Sequence, residues 1–179
     1  MTALKEWENF YVIVGSSAGA LIGIQFVVVT LIAGMPNVQR QSDTNGAFLT
    51  PTIVHFVIAL AISGVLSAPW YGVLPVAILL TAVGGAGLAY AAIVVKRMWT
   101  QRDYRPEVED WIFHAVLPVV SYAALIASGC IAERATRAAL FAVAAAVMGL
   151  LFTGIHNAWD TVSYLVFTRK EPDRNADTH

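Results

Sequence analysis

Ala138–Ala158 reads AALFAVAAAVMGLLFTGIHNA, twenty-one residues with no Asp, Glu, Lys or Arg among them. At a helical rise of about 1.5 Å per residue, such a run matches the roughly 30 Å of bilayer hydrocarbon. Backbone amides have no water to bond there, so a single segment crosses as a helix. This stretch predicts a transmembrane helix, and the rest of the chain follows its pattern.

Of the 179 residues 58% are apolar and 13% charged, and the mean hydropathy is +0.65. The charged fraction is about half that of an ordinary soluble domain. The expected fold is all-α, a polytopic transmembrane helical bundle forming one membrane domain over residues 1–179. Five spans fit: Phe10–Gly34, Thr52–Ala68, Tyr71–Val95, Trp111–Ala132 and Arg137–Phe167. The polar stretch Pro36–Asn45, the Ala68-Pro69-Trp70 turn, the charged Lys96–Asp110 segment and Glu133-Arg134 separate them. Thr50-Pro51 reads as a helix start, a hydroxyl cap followed by proline in the first turn. The first run is too long for a cleaved signal core and lacks a basic leader, so it reads as a retained span. A net charge of −1 gives no phosphate footprint and no nucleic-acid partner. Cys130 is the sole cysteine, which excludes an internal disulfide and a thiolate metal site.

Loop charge sets orientation. Lys5, Arg134 and Arg137 fall on one side, and Arg40, Lys96, Arg97, Arg102, Arg105, Arg169, Lys170 and Arg174 on the other. The positive-inside rule places the N-terminus outside and the C-terminus in the cytoplasm of a multi-pass inner (plasma) membrane protein. Gly15, Gly19 and Gly23 repeat every four residues on the first span, a close-packing face expected to join copies into a homo-oligomer. Gly84, Gly85 and Gly87 mark close packing on the third span, with no strand before them or Lys-Ser/Thr after them to make a phosphate loop.

Three histidines interrupt the apolar runs: His55, His114 and His156. Each lies about one turn inside the expected cytoplasmic boundary, once the fifth span is set to leave the membrane near Trp159. Asp110 precedes His114 by four residues, and Asp160 follows His156 by four, so each pair shares a helix face. An ionisable group in hydrocarbon costs a few kcal/mol or more, which makes three of them a functional-site hypothesis. Three imidazoles with carboxylates to ligate or orient them suit zinc or iron. On this reading His55, His114, His156, Asp110 and Asp160 form a metal site. Pro118 lacks the N–H that would bond the His114 carbonyl, predicting a kink there. Gln25 adds a polar group to the inner half of the first span.

Plainer readings exist for most of these groups. Asp110 fits a helix cap, where an acid meets the positive dipole end. His55 fits an interhelical hydrogen bond. Asp160 is harder to dismiss, since an acid near a helix C-terminus opposes the dipole. The leading functional expectation is a membrane metal site for catalysis or redox chemistry. The alternative is an ion or proton channel or transporter that uses the His/Asp cluster as pathway or gate. A haem held by two histidines is a weaker expectation, and a purely structural subunit is the remaining one.

Overall fold

The computed structural model describes residues 2–33, 42–100 and 108–167. Among them there is no strand. A short N-terminal turn, α1 (Thr2–Glu6), leads into α2 (Glu8–Ala33), α3 (Ser42–Ser67) and α4 (Val73–Thr100). The next long helix is compound: α5 (Val108–Trp111), a π-helical turn (Ile112–Val116) and α6 (Leu117–Ile131). The last, α7, runs Thr136–Phe167. Four segments are long and apolar enough to cross a membrane: Glu8–Leu31, Val73–Trp99, Val108–Ile131 and Thr136–Ser163. The apolar part of α3, Pro51–Ser67, is shorter.

One boundary differs from expectation. Thr50-Pro51 is not a helix start, because α3 begins at Ser42 and passes through Pro51. A proline removes one ladder bond and crowds the turn before it, a loss that membrane helices absorb when neighbours accommodate the freed groups. Most of the basic residues that set the expected orientation, Arg40, Arg102, Arg105, Arg169, Lys170 and Arg174, lie outside the described residues.

Sequence order is not spatial order. α2 packs on α3, α3 on α7, α7 on α6 and α6 on α4, whereas the consecutive helices α3 and α4 barely touch. The interior combines an apolar core, with Phe56, Ile62, Leu125, Val147 and Leu150 in it, with a set of buried polar side chains, and large apolar residues face outward. Gln25, Thr52, His55, Ser63, His114, Ser121, Ser128, Thr153 and Asn157 are buried, while Ile13, Phe26, Ile78, Phe141 and Phe152 are exposed. That exterior suits a lipid-facing surface, where apolar side chains lose nothing by facing outward.

Small residues let the helices close. A β-carbon at Gly84 would meet the Tyr122 carbonyl and Ile126, and one at Gly129 would meet Thr81 and Ala77. The first-span glycines divide: Gly15 lies against Ser63 of α3, whereas Gly19 and Gly23 have nothing within 4 Å. Gly15 therefore serves packing within the protomer. At the end opposite the histidines, Trp7 sits edge-on to Phe141 with ring centroids 4.7 Å apart, and the Tyr11 hydroxyl donates to the Leu140 carbonyl at 3.4 Å. An exposed Glu6–Arg137 ion pair at 3.5 Å adds little to this end.

Candidate functional site

Neighbouring helices run antiparallel, so one contact fixes the level of every other residue. Gly154 abuts the Phe56 ring, and Gly149 abuts the Ser121 hydroxyl. Counting along α7 from these two points brings His156 level with the first apolar turn of α3 and with His114. Gly15 against Ser63 likewise brings Gln25 to the level of Thr52 and His55. A polar layer therefore crosses the bundle near one end, built from α2, α3, α7 and the π-helical turn.

Its innermost element is a pair. His55 Nδ1 and the Tyr122 hydroxyl are 2.8 Å apart, and both residues are at most 2% exposed. The direction of that hydrogen bond depends on the histidine tautomer, since imidazole and phenol can each give or take a proton. Tyr122 reaches His55 because α4 presents Gly87 beneath its ring.

His114 occupies the centre of the π-helical turn and is buried. Its Nδ1 lies 3.3 Å from the Asp110 carbonyl. A carbonyl only accepts, so Nδ1 carries the hydrogen and Nε2 is the acceptor nitrogen of the neutral ring. The π-helical turn also revises the expected kink at Pro118. Leu117 N–H bonds the Ile112 carbonyl, five residues back rather than four. The helix widens where proline interrupts its ladder. Single π turns inside α-helices are often found at functional sites.

His156 forms the rim. Its Nε2 lies 3.0 Å from the Asp160 carboxylate and 3.5 Å from that of Glu109, with Phe113 stacked on the ring at a centroid distance of 3.5 Å. The side chain of His156 is 22% exposed, whereas those of Asp160 and Glu109 are 50% and 66% exposed. The histidine thus has one side toward the layer and its carboxylates toward the surface. Both oxygens accept, so Nε2 is the protonated nitrogen.

The expected site residues thus lie in one region without forming a ligand set. His55 bonds Tyr122, His114 bonds main chain, and His156 meets Asp160 side chain to side chain. His114 is close enough to feel the charges of Asp110, His156, Asp160 and His55. Among the described residues, no group of three or more His, Cys, Asp and Glu is arranged to hold a metal ion. Gln25 is buried as part of the layer, and its Nε2, like both amide atoms of Asn157, has no hydrogen-bond partner among the described residues.

Sequence reasoning missed Glu109, Phe113 and Tyr122. Glu109 carried no signal, because it belongs to the charged segment before the span and its partner His156 lies on another helix. Tyr122 carried one visible signal, a phenol midway along an otherwise apolar span. No protein-family model, curated protein or solved structure matches this chain.

Proposed function

We propose that this is a five-span membrane protein that moves protons, with its N-terminus outside and the histidine layer at the cytoplasmic face of the plasma membrane. Protons enter at His156, pass to His114, and reach the His55–Tyr122 pair in the core. The observation that carries this reading is the buried 2.8 Å hydrogen bond between His55 and Tyr122. Two groups that each donate and accept are hydrogen-bonded where hydrocarbon would penalise either alone. Imidazole takes a proton on one nitrogen and releases one from the other, and histidine titrates near physiological pH. Intramembrane His and Asp residues recur in proton relays for this reason.

The phenol of Tyr122 is shut in by α4, and the neighbouring hydroxyls of Ser128 and Thr81 each donate to their own helix, to Ala124 and Ala77. An open pore has no support here. The reading is a carrier that exposes the His55–Tyr122 pair to one side at a time.

The test is proton flux in proteoliposomes loaded with a pH-sensitive dye and driven by a potassium diffusion potential. The protein is expected to acidify the lumen faster than empty vesicles, and His55→Phe and Tyr122→Phe to abolish the difference. Flux equal to that of empty vesicles, or flux that survives His55→Phe, sinks the proposal.

A further inference from the structure

We infer that Glu109, one turn ahead of the π-helical segment, works with Asp160 as the proton-loading pair for His156. The inference rests on the proton-carrier reading and names where that pathway begins. Three observations converge on it.

First, two carboxylates from different elements meet one imidazole nitrogen: Asp160 on α7 and Glu109 on α5, at 3.0 and 3.5 Å from His156 Nε2. Second, exposure falls in the order the pathway requires. Glu109 and Asp160 are at least half exposed, His156 is 22% exposed, and His114 is buried. A proton from water can reach the carboxylates and cannot reach His114 directly. Third, Phe113, in the π-helical turn that follows Glu109, lies flat on the His156 ring.

The step balances simply. A carboxylate takes a proton from water or from a buffer acid, then gives it to His156 and returns to its anion. His156 Nε2 already carries a hydrogen toward the carboxylates. Loading uses the other tautomer, with hydrogen on Nδ1 and a bare Nε2. The carboxylic acid gives its proton to Nε2, and the imidazolium releases its Nδ1 proton inward. The Nε2–H ring that faces the carboxylates here is what remains until the tautomers exchange again. Phe113 holds the ring plane fixed during that exchange. Asp110 has a separate task, holding His114 through its carbonyl.

The experiment uses the full chain in the flux assay at low buffer concentration, where loading limits the rate. Glu109→Gln is expected to lower the initial flux about tenfold, less than the full worth of a proton-transfer group because Asp160 remains. Glu109→Gln combined with Asp160→Asn is expected to lower it further. Adding a small membrane-impermeant buffer on the loading side is expected to restore flux to Glu109→Gln. A residue that merely holds structure would not be rescued. Wild-type flux with an unaffected Glu109→Gln, or a loss that buffer leaves unrestored, overturns the inference and leaves the carrier reading standing. Absence of wild-type flux overturns the carrier reading itself.

Discussion

Gly87 lies beneath the ring of Tyr122, so close that a β-carbon at position 87 would overlap Cδ1 and Cε1 of that ring. The phenol is thereby fixed over α4, with its hydroxyl directed at His55. Gly87→Ala is expected to destabilise by about 1–3 kcal/mol, the usual penalty for overfilling a packed site. Gly85, two residues earlier, has nothing within 4 Å. Gly85→Ala is expected to be neutral or to stabilise by up to about 1 kcal/mol, through helix propensity alone. Thermal unfolding of both variants in the same detergent checks the contrast, and equal behaviour would contradict the packing described.

The hydrogen bond between His55 and Tyr122 is measurable by a double-mutant cycle. Tyr122→Phe and His55→Phe each remove one partner and strand the other in the core. The coupling energy is expected on the order of 1 kcal/mol, as for other interhelical hydrogen bonds in membranes. Additive single-mutant losses would mean that the two groups do not act as a pair.

Deleting Ile112 shortens the five-residue turn to ordinary helical length and leaves Glu109 four residues before His114. Ile112 is 40% exposed, so little packing is lost. The deleted protein is expected to keep its flux and to melt within about 1 kcal/mol of the parent, the range for changes away from the core. Loss of flux with unchanged melting would show that the wide turn itself takes part in transport.

Gly15 and Gly19 share a helix face, yet only Gly15 has a neighbour within 4 Å. Gly15→Leu is expected to cost about 1–3 kcal/mol by forcing α2 off Ser63. Gly19→Leu is expected to leave the protomer's melting temperature unchanged. Sedimentation of Gly19→Leu in detergent tests association directly: a homo-oligomer joined through this face loses mass, whereas one joined elsewhere does not.

The four long apolar helices were legible because hydrocarbon imposes one rule on every residue in it, and Ala138–Ala158 satisfies that rule without exception. One local rule misled. Proline as a helix opener was applied to Thr50-Pro51, where α3 carries on toward the N-terminus. The widened turn before Pro118 was not legible, because hydrophobic periodicity does not register a single extra residue in a turn. The His55–Tyr122 pair was illegible for another reason. It joins helices that are not consecutive, through a tyrosine that by itself reads as packing.

The arrangement of helices also constrains how the protein is made. α2 and α3 form one packed unit, α4 and α6 another, and the two units have little direct contact. α7 touches both, along α3 on one flank and α6 on the other. It follows both in sequence, so each unit keeps an unfinished flank until α7 has been made. This last helix packs along both units, beside the direct His55–Tyr122 bond, and carries His156, Asn157 and Asp160 with it. A nascent chain halted before Thr136 therefore holds the His55–Tyr122 pair and His114 without the His156 rim.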